Sequence, residues 1–350
     1  MGFHPAIPAH PVNELIFKMT NTPFKTRITD LYGIRLPIVA SGLMWLADPV
    51  YVAAVARAGL IGFMTAASFP NVDALRAGIR RCRELSEGKP FGVTIMIRIS
   101  RDGTDRVTPL IDAVIEEGVK FVETAGNNPE AYIRRLKDAG IIVVHKVPGV
   151  MRYVKKAESL GADAVIVIGA EAGGHPGVEP VGTMVAAAAA ARAVKIPLIV
   201  AGGIGTGEQL VAALALGADG IAMGTRFLVS EEIWAHRQYK ERLVAAGEAD
   251  TTLLLQSMRN TQRALKTGHV AMIQQLEKEQ PVNTESILPH IMGTVGRKAY
   301  ETGDVEKAML SCGQGVVFAD KIEPLAAIVD RIEAEARTAM GRLNTLYRPG

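Results

Sequence analysis

Cysteine is nearly absent: Cys82 and Cys312 are the only two in 350 residues. Two thiols make neither a disulfide framework nor a cysteine metal site. Their scarcity fits a reducing compartment, so the cytoplasm is the expected location. Histidines and carboxylates do not cluster at ligand spacing either, and no metal is expected. There is no apolar run of membrane length. Residues 186–191 are an alanine run, but Arg192 and Lys195 follow it, and a span needs about 20 mostly apolar residues. Residues 1–20 hold proline and histidine without an apolar core behind a basic start, so no signal peptide is expected there. Charge of one sign is not in excess. The net charge is +3, with Lys and Arg spread along the chain, which gives no reason to expect nucleic acid or an anionic membrane as partner. Apart from the alanine run there is no low-complexity segment, and no repeat beyond a strand–helix unit.

What is present is an ordinary globular balance, 48% hydrophobic and 21% charged, in a chain long enough for one barrel plus an insertion. The most informative stretch is Pro197-Leu-Ile-Val-Ala-Gly-Gly-Ile-Gly-Thr-Gly207, answered by Gly220-Ile-Ala-Met-Gly-Thr-Arg-Phe227. Each is an apolar run ending in glycines, and an Ala/Leu-rich helix from Glu208 to Gly217 joins them. Glycines after a strand let backbone amides approach a ligand, and two such turns on neighbouring parallel strands can share one phosphate. Taken singly, either turn is equally well read as a tight turn and nothing more.

Upstream, apolar runs at residues 36–42, 60–64, 91–97, 120–124, 141–146 and 164–168 read as six earlier strands. Helical stretches lie between them at 48–58, 71–85, 108–117, 129–139, 150–160 and 184–194. Asp48 caps the first of these helices, with Pro49 at its first position. Continuous apolar runs suit parallel strands buried on both faces. Regular units ending in paired glycine turns predict a closed (β/α)8 TIM barrel in the α/β class over an open doubly wound sheet. Residues 1–22 read as an N-terminal extension and 23–229 as the barrel. Residues 230–313, richer in charge, Gln and Met and without a strand-like run, read as a helical insertion on the C-terminal mouth. Residues 314–350 contain an amphipathic helix, over 320–343, returning to close the barrel.

Chemistry in a barrel sits where the strands end. There the chain offers Ala40, Ser41, Gly42 and Met44 after strand one, Thr94 on strand three and the run Glu123-Thr-Ala-Gly126 on strand four. His145 and Lys146 end strand five, and a loop through Glu171, Gly173, Gly174 and His175 follows strand six. No cysteine lies at a strand end, so a thiolate nucleophile is not expected. Cys312, in the small-residue turn Ser311-Cys-Gly-Gln-Gly315, reads as structural. A phosphate cradle, small residues admitting a large planar group, one lysine and one histidine suit a cofactor that does the hard chemistry. Lys146 pairs with a phosphate or a charged ring, or is a rim residue. His175, between Gly174 and Pro176, is placed to take a proton or donate a hydrogen bond near neutral pH. The alternative is a structural histidine bonded to a carbonyl. His145 competes for the active role. Neighbours on a strand face opposite ways, so only one of His145 and Lys146 faces the interior.

These residues resemble the nitronate monooxygenase / 2-nitropropane dioxygenase family of FMN-dependent barrels, from Phe24 to the C-terminus. The carrying motifs are Pro37-Ile-Val-Ala-Ser-Gly-Leu-Met-Trp45, Val122-Glu-Thr-Ala-Gly-Asn127, His145-Lys146, Glu171-Ala-Gly-Gly-His-Pro-Gly177, Ala201-Gly-Gly203 and Met223-Gly-Thr-Arg-Phe227. The resemblance implies a flavin-dependent oxidoreductase with non-covalent FMN, its phosphate held by Gly202, Gly203, Gly224 and Thr225. Ala40, Ser41 and Gly42 would line the isoalloxazine, Lys146 would approach it, and Gly173 and Gly174 would pack on it. Thr94, Ala172 and Met223 complete the expected cofactor wall. His175 falls on the histidine assigned as base in nitronate-oxidising members, and Met44 and His145 are expected on the substrate side. The sequence departs from the related patterns on that side. Met44 stands where the quinone-reductase pattern has Gln, Ser41 where Gly is usual and Thr94 where Asn is common. The residues 168–171 replace a more acidic, aromatic loop.

The leading expectation is therefore oxidation of alkyl nitronates by oxygen on a small-molecule substrate. The alternative is reduction of quinones or enoyl thioesters with NAD(P)H as reductant. The segment Arg259-Asn-Thr-Gln-Arg263 resembles the quinone-reductase members, and the missing Gly-x-Gly-x-x-Gly fingerprint decides little for a flavin barrel. A flavin-free phosphate-binding lyase or isomerase is a third reading, and a scaffolding role the least favoured. A homodimer is left open.

Overall fold

The structure is a computed structural model and describes residues 23–98, 103–279 and 282–346. The apolar runs form eight parallel strands: β1 (Ile38–Ala40), β2 (Ile61–Thr65), β3 (Gly92–Ile97), β4 (Phe121–Gly126), β5 (Ile142–Pro148), β6 (Ala164–Ile168), β7 (Leu198–Ala201) and β8 (Gly220–Met223). They pair in sequence order, and β8 closes on β1, so the expected TIM barrel is the fold. Helices α2 (Pro49–Arg57), α3 (Val72–Leu85), α4 (Thr108–Glu116), α5 (Glu130–Asp138), α6 (Met151–Ser159), α7 (Thr183–Ala193) and α8 (Gly207–Ala215) follow the first seven strands. As read from the sequence, Asp48 caps α2, its side chain accepting from Tyr51 N at 2.9 Å. A short helix before β1, α1 (Arg27–Tyr32), was not anticipated. It closes the bottom of the barrel, where Tyr32 meets Phe63 and Phe121 edge-on at 6.2 and 5.2 Å between ring centres. With Val39, Ile61, Val144, Ile166 and Ile199 these rings fill the lower barrel. Polar chemistry is left to the upper end.

After β8 two expectations need correction. The insertion is not purely helical. It contains an antiparallel hairpin of β9 (Thr251–Leu254) and β10 (Gln262–Leu265), with Gln262 opposite Leu254 and Leu265 opposite Thr251. The hairpin joins helices α9 (Arg237–Val244), α10 (Gly268–Leu276), α11 (Thr284–Ile287) and α12 (Gly293–Thr302). Its strands are four residues long, and their connection reaches positive φ at Leu255 and Arg259 rather than at glycine. The usual hairpin signal is therefore missing. Second, the returning helix α13 (Leu325–Leu346) begins five residues later than the expected 320. Residues 320–323 are not helical, and Glu323 is tied down, Glu231 N donating to Glu323 O at 3.0 Å; Pro324 biases Glu323 away from helix.

The helix α13 supplies the barrel's eighth helix. It lies so close to α8 that a Cβ on Gly207 would strike the backbone at Ile332 and Ala336. Glu335 accepts from Gly207 N at 2.9 Å, and Glu333 pairs with Arg35. Among the described residues no helix is long and apolar enough to cross a membrane.

Candidate active site

The upper strand ends open on a cavity of about 1770 Å³. Its parts are best taken from the glycine turns outward. Gly202 and Gly203, after β7, adopt φ +113° and +69°, a region that glycine enters at little cost. Beside them Gly224 and Thr225 follow β8, and all four line the cavity. The loop after β6 braces these turns. The Glu171 carboxylate accepts from Thr183 N at 2.9 Å and sits 2.7 Å from the Thr183 hydroxyl. That hydroxyl also lies 2.9 Å from the Gly202 carbonyl, so its single proton serves one acceptor at a time.

A segment not assigned to the site completes the cradle from behind. Gly313 N donates to Thr225 Oγ1 at 3.0 Å, and Gln314 N to Glu171 O at 2.9 Å. A Cβ on Gly313 would come within 2.7 Å of Glu171 O, and one on Gly315 within 3.0 Å of the Gly203 carbonyl carbon. The glycine spacing in residues 311–315 was the available signal, and the turn reading absorbed it. Cys312 is buried there, and burial pushes its thiol up to about 12, which leaves no thiolate for chemistry.

At the floor of the mouth, three of the expected residues meet on one that was passed over. Glu123, wholly buried on β4, accepts from Ser41 Oγ at 2.7 Å, from Thr94 Oγ1 at 3.1 Å and from Lys146 Nζ at 2.6 Å. Gly42 lies over this group, and a Cβ there would strike the Thr94 hydroxyl. The strand register explains the meeting, because Thr94 is the direct neighbour of Glu123 and Ala125 that of Lys146. Ala40 is buried in the barrel core at the end of β1, away from the wall. Met44, Ala172, Gly173, Gly174, His175 and Met223 all line the cavity.

Of the two competing residues on β5, Lys146 faces inward. His145 borders the cavity but shares the outward side with Thr124, its Nδ1 2.9 Å from Thr124 Oγ1 and 3.1 Å from Thr124 O. Burial is the main cause that lowers its pKa to about 4. Lys146 adds to the shift, while the Thr124 carbonyl and Glu123 oppose it. An unfolded histidine titrates near 6.5. Between those values the unfolded chain binds a proton that the folded chain refuses. Stability is therefore full above pH 6.5, falls as the pH drops toward 4 and levels off below. The gap is worth about 3 kcal/mol at most. His145→Gln is expected to flatten this fall when urea unfolding is compared at pH 7 and pH 4.5. Equal losses in variant and wild type would assign the acid sensitivity elsewhere.

His175 is held from the insertion. Gly174 and Arg263 exchange backbone hydrogen bonds of 3.0 and 2.7 Å, and Arg263 Nε donates to Ala170 O at 3.0 Å. This bracing depends on the hairpin, which carries no local turn signature. The Asn260 side chain lies beside the imidazole and favours its protonated form. Burial in the concave wall lowers the His175 pKa, the positive charge of Arg98 and then Lys146 adding to it and Asn260 opposing it. His175 is itself exposed to solvent, which limits this desolvation. The imidazole is the neutral, proton-accepting form at pH 7.

A closed (β/α)8 barrel with a glycine cradle at strands seven and eight, a lysine at the floor and a neutral histidine on the wall is built as a flavin-dependent oxidoreductase. The comparisons agree with that class. The chain belongs to the nitronate monooxygenase family, whose model matches residues 25–335. It is 40% identical over 229 residues, 65% of this chain and 62% of the relative, to a "(3aS,4S,5R,7aS)-5-hydroxy-7a-methyl-1-oxo-octahydro-1H-indene-4-carboxyl-CoA dehydrogenase" of Rhodococcus jostii. It is 27% identical over 357 residues, 91% of this chain and 99% of the relative, to a probable nitronate monooxygenase of Staphylococcus saprophyticus. Among solved structures it resembles FabK from Thermotoga maritima, with 35% identity and a TM-score of 0.85 over 93% of this chain and 100% of the other.

Proposed function

We propose that the protein is an FMN-dependent oxidoreductase acting on a bulky apolar acyl group carried as a CoA thioester. The observation that carries this reading is the cavity. Its volume of about 1770 Å³ is nearly twice the upper end of the range for small-ligand sites, about 300–1,000 Å³. FMN and a small nitronate would leave much of it empty. The wall offers Met44, Trp45, Met96, Met292 and Met309, an apolar and adaptable surface. Among the described lining residues five are Lys or Arg; Lys146, Arg152 and Lys156 are ion-paired with Glu123, Glu179 and Glu130, which leaves Arg98 and Arg259 to face a ligand. That balance favours ligands bearing phosphates. The 40% identical relative is named for a CoA-linked substrate, which supports the same reading.

The residues present fit FMN. Gly202, Gly203, Gly224 and Thr225 would hold its phosphate. Gly42 clears the space above the floor, because any side chain there would strike Thr94. Ser41, Thr94 and Lys146 supply polar groups for the ring edge. Bound FMN supplies two-electron redox chemistry. The chain supplies the rest. His175 holds or moves the proton of an acidified C–H bond at its imidazole nitrogen, and the rim cations hold the substrate's anionic tail.

Nitronate oxidation is the second reading, and the neutral His175 favours it, because nitroalkanes are carbon acids too. The test is an anaerobic titration of the FMN-loaded protein, followed in the visible spectrum. Bleaching by cyclohexanecarbonyl-CoA, or reoxidation of NADH- or NADPH-reduced protein by its unsaturated counterpart, is the expected result. Bleaching by propyl-2-nitronate with neither thioester response would replace the first reading with the second.

A further inference from the structure

Glu123 is the one carboxylate among the described residues that is wholly buried. It lies under the mouth of the barrel and its partners come from three other strands or strand ends. Ser41 follows β1, Thr94 lies on β3 and Lys146 on β5. A buried carboxylate is expensive to desolvate, and an apolar replacement of the same volume is often as stable. A lysine needed only to reach a ligand requires no buried counter-ion. Lys146 is 17% exposed and its ammonium is turned toward Glu123 at 2.6 Å.

We propose that Glu123 is a positioning residue for the flavin, anchoring the Lys146 ammonium at the floor of the site and offsetting its charge. The inference rests on the FMN reading above and adds to it a role for a residue that does not touch substrate. A cation aimed at a bound redox group in a water-poor site favours the electron-rich form, and a paired cation favours it less. Glu123 thereby holds the reduction potential of the bound flavin below the value that Lys146 alone would set. The Ser41 and Thr94 hydroxyls fix the carboxylate, and so the lysine, in one orientation.

The test uses the FMN-loaded full chain and two readouts that strand packing does not move. One is the reduction potential by equilibration with a reference dye. The other is affinity for sulfite, which rises with positive charge beside a flavin. Glu123→Gln keeps the shape and removes the charge. It is expected to raise the potential and tighten sulfite binding at least tenfold, and Lys146→Met to shift both the other way. Without Lys146 there is no cation for Glu123 to anchor, so adding Glu123→Gln to Lys146→Met is expected to move both readouts less than Glu123→Gln does alone. If Glu123→Gln does not fold, Glu123→Asp keeps the charge but shortens its reach, and a sulfite affinity between the two is expected. Unchanged sulfite affinity in either folded variant would overturn the role, as would equal shifts with and without Lys146. A wild-type protein that takes up no FMN would instead remove the functional reading itself.

Discussion

His175→Asn is expected to keep the yellow colour of bound FMN, with affinity unchanged within about threefold, and to lose turnover by about 10²- to 10⁴-fold on substrates that must give up a C–H proton. The two halves of that expectation come from different parts of the structure. The cradle proposed for the cofactor comprises Gly202, Gly203, Gly224 and Thr225 and is braced by Glu171, Thr183 and Gly313. None of these contacts uses the imidazole. The loop carrying it is set by the backbone pairing of Gly174 with Arg263, which an asparagine at 175 leaves in place. What the variant loses is a group that accepts a proton at neutral pH. Because burial, Arg98 and Lys146 lower the pKa of His175 against the pull of Asn260, the acid limb of wild-type kcat/KM is expected below 6.5. That limb should vanish in the variant. A pre-formed nitronate, which has already lost its proton, should be oxidised with a much smaller loss. Full turnover of a neutral nitroalkane or thioester by His175→Asn would remove the imidazole from the proton-transfer step.

The parts of this site that could be read from the sequence are the local ones. A glycine turn carries its own signature, so Gly202, Gly203 and Gly224 were recognisable in one continuous stretch with the helix between them. The eight strands were recognisable because parallel strands buried on both faces are unbroken apolar runs. The group around Glu123 was not. Ser41, Thr94, Glu123 and Lys146 are spread over about a hundred residues, and the register of β3, β4 and β5, with the turn after β1 in the closed barrel, brings them to one point. His145 and Lys146 show the same limit. Alternation required that one face inward, and the neighbours in the folded barrel decided which. The brace on His175 was hidden more deeply, because it needs β10, a four-residue strand whose first two residues are polar and whose turn has no glycine.

Gly202→Ala is expected to lower FMN affinity by about a hundredfold, near 2.7 kcal/mol, and to yield colourless protein with an intact barrel by circular dichroism. The residue sits at φ +113°, where a side chain is strained, but strain is only part of the argument. An added Cβ would point away from the cavity, to 2.8 Å from Thr183 Oγ1 and 3.0 Å from Gly169 O. Thr183 is held by Glu171 and cannot retreat without loosening the start of α7 and the loop that leads to His175. The turn after β7 must therefore move toward the cavity, into the space its amides need for the phosphate. Gly161 provides the control. It has φ +83°, yet a Cβ there meets nothing within 4 Å, and it lies between α6 and β6 at the opposite end of the barrel. Gly161→Ala should cost about 1–2 kcal/mol of stability from the left-handed backbone and leave FMN affinity at the wild-type value. If the two variants lost affinity alike, backbone strain and general loosening would explain both, and the cradle would have to be sought in other residues. If Gly202→Ala alone lost it, the fit between the β7 turn and Thr183 would be what shapes the phosphate site.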